Sequence, residues 1–570
     1  MHQSRLVKSA WISALSAVSL LVVAGCGAGS SNPPSSSGGP VKSGGSITFA
    51  LDEDVAGWNV LQANDNEFVL QEILDQTWPQ AFVTHPDLKP HLNTDLLTSA
   101  KVTKTNPQTV VYKINPKATW SDGTPISADD FIYNWQAQSG NPKFTDVGGK
   151  AFLPATTSGY SQIKSVTGSD GGKTATVVFS SPYSDWQALF SPMLPAHIAQ
   201  KVGFNSGFQE FNSAIKVSGG PYMLQSYSKG EDAVEVPNPH YWGAKPNLDK
   251  ITYRFITNDD QQPPAVQNNE VNVVNPALVS TTFYQSVKNI PDFNVQVIPG
   301  LEFQHIDFNQ ANPYLAKQSI RQAIAYGTDR QQMVDRIVAP LGVKNPQPLQ
   351  NRIWMPTQPQ FQDTSNGLGD FDPSKAKQML QSSGMTMGSD GYFQPTFGPE
   401  KGKDFTLSIS TTSGVPVRSQ IEQLFQASMK NIGVKIDIQN YDANKLFGTV
   451  GPKGEFDLIE FAWVQTPYPS GNQSIYCSYT NKGLCGSNWD HYANPKVDKM
   501  FTQALSNIDT TQAAQEYNQI DSILWQDMAT LPLFQQPQLF GWSSTYGNVV
   551  PNTSNIGIPW NANDWGALAH

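Results

Sequence analysis

The sequence predicts an α/β protein of several subdomains, carried behind an export signal and a flexible tether. Three observations predict it. An amphipathic stretch from Ser419 to Ile432 ends at Gly433 and leads into the alternating Val434-Lys435-Ile436-Asp437-Ile438, and helix, glycine, strand is the elementary α/β unit. At 570 residues the chain exceeds a single hydrophobic core. Its 39% hydrophobic and 11% aromatic content supplies enough apolar material for more than one interior.

The first segment carries Arg5 and Lys8, an uncharged stretch from Ser9 to Ala24, and then Val23-Ala24-Gly25-Cys26. Small residues before a cysteine suit a signal peptidase that needs a narrow, extended substrate, so residues 1–25 read as a lipoprotein signal with Cys26 as the lipidated residue. An ordinary secretory signal with an incidental cysteine is the alternative. The apolar stretch is too short to span a bilayer comfortably, whereas a diacylglyceryl group with an amine-linked chain anchors stably. Residues 26–45 are nearly all Gly, Ser, Pro, Ala and Asn, with Lys42 the only charge, and read as a tether that cannot bury enough surface to fold. The protein is then expected at the outer face of the cell membrane of a bacterium of Gram-positive type.

From Ser46 to Leu51 the chain reads as a strand entering the fold, and a helix follows from Glu67 to Leu74. Val110 to Ile114 alternates as a strand does, and Asp122-Gly123-Thr124-Pro125 is a turn. Ser127 caps a helix through Phe131, Ile132 and Trp135, with Asp129 and Asp130 favouring its N-terminus. Gly168 to Gly172 turns a hairpin between 163–166 and 175–179. Helices are expected at 319–325, at 331–338, and at 374–380 behind Asp372-Pro373.

Charge and motifs exclude several functions. With 37 Lys and Arg against 47 Asp and Glu the chain carries −10, and losing Arg5 and Lys8 makes it more acidic, which argues against a nucleic-acid partner. There is no Gly-x-Ser-x-Gly elbow, no His-Glu-x-x-His helix and no phosphate-binding Gly-Lys loop, so no enzyme is expected. No cofactor or metal is expected either. Cys477 and Cys485, with seven residues between them, read as a disulfide in an exported protein; unrelated thiols, or a metal site with His491, are the alternatives.

The segment Lys113 to Asp130, containing Trp120-Ser121-Asp122-Gly123-Thr124-Pro125, resembles the diagnostic block of family 5 extracellular solute-binding proteins, the oligopeptide, dipeptide and nickel receptors of ABC importers. Further blocks follow in order: Gly219-Gly220-Pro221-Tyr222, Asn238 to Gly243, Arg321 to Tyr326 with Asp329-Arg330, and Leu531-Pro532-Leu533-Phe534. The resemblance covers nearly the whole mature chain. It implies the two-lobed periplasmic-binding-protein-like fold (class II), with the first lobe over 46–300, an extra subdomain within it over about 95–191, the second lobe over 301–528 and a return over 529–570. It also implies capture of an oligopeptide or a similarly sized polar solute by a monomer that serves permease subunits. An alternative from another class is a surface lipoprotein of the same fold acting in cell-envelope glycolipid assembly.

The resemblance places the ligand between the lobes, against the turn after the first strand (Glu53, Asp54, Trp58 and Asn59) and the loop after 456–461 (Trp463, Val464, Gln465, Thr466 and Tyr468). Stiff aromatic side chains suit such clefts, although Trp58 and Trp463 read equally as core residues. Peptide receptors of the family place an aspartate three residues after the tryptophan to hold the ligand's ammonium, and this chain has Thr466 there. Glu53, Asp54 and Glu460 are the candidate replacements.

Overall fold

The computed structural model describes residues 40–62, 64–479 and 486–569. The expected signal, Cys26 and most of the tether lie outside the described residues, as does Cys485. Among the described residues no helix is long and apolar enough to cross a membrane.

One large sheet organises the molecule. Its strands in chain order are β1 (Ser46–Leu51), β2 (Tyr222–Ser228), β3 (Asp232–Pro237), β4 (Lys250–Phe255), β5 (Val273–Val274), β6 (Phe293–Phe308), β7 (Thr406–Ser410), β8 (Lys435–Ile438), β9 (Leu458–Val464) and β10 (Thr530–Ser543). They lie in the order β8-β7-β9-β6-β10-β5-β1-β4-β3-β2. The long antiparallel pair β6 and β10 belongs to both halves of the sheet. Beside β10, Ile47 and Phe49 of β1 and Ile251 and Tyr253 of β4 pack with Phe540 and Trp542 in a first core. Beside β6, Ile306 and Phe308 pack with Leu407, Ile409, Leu531 and Leu533 in a second. The same two strands therefore enter both cores, which is the two-lobed architecture.

The strands pass from one core to the other through an irregularity. Pro299 lies opposite Pro537, and regular pairing resumes only at Phe303 opposite Gln535, so Gly300, Leu301 and Glu302 face a single residue, Gln536. Two opposed prolines remove two ladder donors, and the surplus residues form a bulge that turns Glu302 away from the regular pleat.

The helix–glycine–strand unit forms as expected. β7 leads into helix α3 (Pro416–Asn431), which returns to the parallel β8 through Gly433 at φ +79°, a left-handed conformation that glycine adopts without strain. Preceding helices are α1 (Ala128–Gln138), where Ser127 and Asp130 form a reciprocal capping box, and α2 (Gln318–Gly327). α1 packs on a separate four-stranded sheet around Tyr112, Trp120, Phe131 and Phe190. The helix expected over 331–338 is a short α-helix, Arg330–Met333, running into a wide π turn, Val334–Val338, shortly before Pro340, which has no N–H to donate. The folded body also begins before Ser46. Lys42 N–H donates to Ala567 O (2.7 Å) and Ala569 N–H to Pro40 O (2.9 Å), so the end of the expected tether is bound to the C-terminal segment.

Candidate functional site

A cavity of about 280 Å³ lies between the two cores. Glu53, Phe68 and Pro276 line it from the first, Thr412, Arg418, Phe447 and Val464 from the second, and Glu302 and Gln538 from the crossing strands. Asp52 accepts a hydrogen bond from Ala277 N–H (2.8 Å) and so fixes the 275–278 wall. Glu53, next in sequence, projects into the cavity.

The charges here are few and poorly compensated. Among the described residues neither Glu53 nor Arg418 forms an ion pair. Arg418 Nη1 donates to Thr412 Oγ1, while its Nε is buried with no partner. Burial pushes the Glu302 carboxyl up to about 7 against the opposing pull of a Gln538 amide bond (3.2 Å) and of Arg418. Behind it, burial also holds Glu460 up at about 7; Thr411 Oγ1 donates to it at 2.8 Å and Arg418 pulls it down. Partial enclosure and the neighbouring Asp52, Glu67 and Asp259 raise Glu53 as well. The first wall is thus acidic, and the second offers one guanidinium.

Of the residues expected in the turn after β1, only Glu53 reaches this cavity. Asp54 is occupied, accepting from Tyr227 Oη (3.0 Å), Gly230 N–H and Val55 N–H. Trp58 is 2% exposed in the first core, edge-on to Tyr227 at 4.9 Å. Asn59 is buried, its amide donating to Phe204 O. These three hold the turn; none lines the cavity.

The segment at the end of β9 divides between locations. Val464 lines the cavity. Trp463, on the opposite face, stacks on His305 (5.8 Å) and meets Phe461 edge-on, so most of its surface serves packing. Gln465 is buried in a reciprocal amide pair with Asn472. Thr466 and Tyr468 line a second cavity of about 370 Å³, whose other walls come from the four-stranded-sheet subdomain and from the C-terminal segment. Thr466 Oγ1 is engaged in a turn with Tyr468, accepting its N–H and donating to its carbonyl. Beside this cavity the segment after β9 is hydrogen-bonded to that subdomain: Ser470 N–H donates to Asp185 Oδ2 (3.0 Å) and Tyr468 Oη to Gln187 O (3.1 Å).

Arg418 and Glu302 were not singled out from the sequence, yet each left a signal. Arg418 is the third residue of α3, where the helix dipole disfavours a cation. Glu302 follows Pro299-Gly300, a break in a strand pattern where a ladder bulges. Among the described residues no group of three or more His, Cys, Asp or Glu is placed to hold a metal ion.

The family model for bacterial extracellular solute-binding proteins, family 5, matches residues 91–484. The chain belongs to this family. The oligopeptide-binding protein OppA of Mycobacterium tuberculosis is 30% identical over 516 residues, covering 89% of this chain and 83% of OppA. A second relative, the probable monoacyl phosphatidylinositol tetramannoside-binding protein LpqW of the same organism, is 30% identical over 431 residues, 72% of this chain and 64% of LpqW. Among solved structures, the periplasmic EDTA-binding protein EppA matches with a TM-score of 0.85 at 28% identity, over 94% of this chain and 98% of that one. AppA of Bacillus subtilis in complex with a nonapeptide shares the family 5 fold at a TM-score of 0.76 and 21% identity, over 93% of this chain and all of AppA.

Proposed function

We propose that this chain is the solute receptor of an ABC importer, anchored at the outer face of the membrane through lipidated Cys26, and that it captures a peptide or a similarly sized polar solute between its lobes. The observation that carries the reading is a cavity shared by both lobes, with Glu53 and Arg418 on its opposite walls, each lacking an ion partner among the described residues. An unpaired carboxylate facing an unpaired guanidinium suits a solute with an ammonium and a carboxylate, each of which gains a charge-assisted hydrogen bond. The relationship to OppA supports a peptide.

Capture requires no covalent step, and the chain acts as a binder rather than a catalyst. The two lobes move about the bulge at Gly300–Glu302 and the facing Gln536. Solute that touches both walls favours the closed arrangement over the open one and shifts a pre-existing equilibrium. The closed form is the one presented to the permease.

A second reading is favoured by one observation. Among the described residues the cavity that contains Thr466 has no carboxylate in its lining for a peptide ammonium, and LpqW is named for binding a mannosylated lipid. On this reading the protein is a surface lipoprotein of glycolipid assembly. Native mass spectrometry of exported, never-refolded protein decides between the two: a co-purifying peptide supports import, and a co-purifying glycolipid supports the second.

A further inference from the structure

We infer that the second cavity receives an uncharged hydrogen-bonding group, so that the solute is blocked, by an acyl group or a sugar, at the end lying beside Thr466. This rests on the reading that solute is held between the lobes, and it names the chemistry of one end. Among the described residues seventeen bound the cavity, about 370 Å³, and none of them is Asp, Glu, Lys, Arg or His. Its walls carry hydroxyls and amides, among them Thr156, Ser158, Ser191 and Asn555, beside the apolar Phe82, Leu189 and Ile556 and the ring of Tyr160. Burial pushes the Tyr160 phenol up to about 12, so it stays neutral at physiological pH.

The carboxylates bonded to wall residues are committed: Asp75 accepts from the amides of Gln80 (2.6 Å) and Gln76 (3.3 Å). Asp185 stands behind Ser470, accepting from its N–H at 3.0 Å and from Ser184 Oγ at 3.4 Å. Thr466 Oγ1 has both of its roles taken by Tyr468. An ammonium enclosed here would lose its hydration and find no opposite charge, a heavy penalty. A neutral amide or sugar hydroxyl finds both donors and acceptors, because each Ser and Thr hydroxyl is both. Aromatic faces beside hydroxyls suit either group.

Val464, at the end of β9, borders the charged cavity and Thr466, two residues on, borders the neutral one. Two residues of extended chain span only about 7 Å. The inferred solute is one that reaches both, with its charge toward Glu53 and Arg418 and its neutral end toward Thr466.

Calorimetric titration of the exported protein with three probes tests this: Ala-Ala-Lys, N-acetyl-Ala-Ala-Lys and N-gluconoyl-Ala-Ala-Lys, which all keep the lysine ammonium and the C-terminal carboxylate for the charged cavity and differ only at the N-terminal end. The acetylated or the gluconoylated peptide is expected to bind at least tenfold more tightly than the free amine, and whichever does so distinguishes an acyl from a sugar-like source. Ser158→Asp, which adds a carboxylate to the wall without touching the Thr466 turn, should reverse the preference toward the free amine; Thr466→Asp is the companion variant. Equal or tighter binding of Ala-Ala-Lys by the unmodified protein overturns the inference, and so does failure of all three probes. Failure of the solute-capture reading looks different. In that case a complex peptide digest and a glycolipid extract both leave the melting temperature unchanged.

Discussion

The hydroxyl of Tyr183 lies 3.0 Å from Ser470 Oγ, although 287 positions separate them in the chain. Ser470 belongs to the segment after β9, and Tyr183 to the subdomain built on the four-stranded sheet. With the Asp185 contact to Ser470 N–H, the pair forms a polar seam beside the neutral cavity. Removing one such hydrogen bond costs about 0.5–1.5 kcal/mol. Tyr183→Phe should therefore shorten the lifetime of the solute complex by about two- to tenfold and leave the unfolding midpoint of the empty protein nearly unchanged. Stopped-flow dissociation reads the first quantity and thermal unfolding the second. An unchanged off-rate would mean that this seam does not hold the lobes together.

Arg418 is the cation in the charged cavity. Arg418→Ala should weaken an anionic solute by about ten- to a hundredfold, the worth of one charge-assisted hydrogen bond. A solute lacking a carboxylate should be affected far less. Comparing a peptide with its C-terminal amide in both proteins separates the two cases; equal losses for the pair would assign Arg418 to the fold.

The carboxyls of Glu302 and Glu460, both held up at about 7 chiefly by burial, flank that arginine. Each binds a proton in the folded protein over a range where the unfolded chain has lost it. Their contribution to stability is complete below about pH 4.5 and declines as the pH rises toward 7. Above about 7 both ionise and compete with a ligand carboxylate for Arg418. Affinity for an anionic solute should consequently fall between about pH 6 and 8, and Glu302→Gln should flatten that profile. A wild-type profile that is flat across this window would contradict the assignment.

Cys26→Ser should yield a protein that is no longer acylated and that leaves the detergent phase on phase separation. Retention in detergent would require another anchoring segment.

The Cys477–Cys485 pair should be recovered linked by peptide mapping of unreduced, exported protein. A ring this short stabilises by about 2.5 kcal/mol in the chain-entropy account, so its reduction should lower the melting temperature by a few degrees. Quantitative labelling of both thiols without reductant would refute the bond.

Local elements were legible because local chemistry sets them. The Ser127 cap, and Gly433 at the end of α3, act through bonds and dihedrals within a few residues, and both appear in the structure as read; the return bond from Asp130 is the structure's addition. The acidic net charge argued against a nucleic-acid partner, and the motif blocks pointed to extracellular solute-binding proteins before any contact was known. The site was only partly legible. Glu53 and Val464 line the charged cavity, whereas Asp54, Trp58 and Asn59 are taken up by Tyr227, the first core and Phe204, partners far away in sequence. Arg418 and Glu302 acquire their meaning only when α3 and the bulged β6 bring them to one cavity. A charge in a sequence is solvated by default. Only the tertiary structure decides which charges are buried without a partner, because that depends on which strands lie side by side.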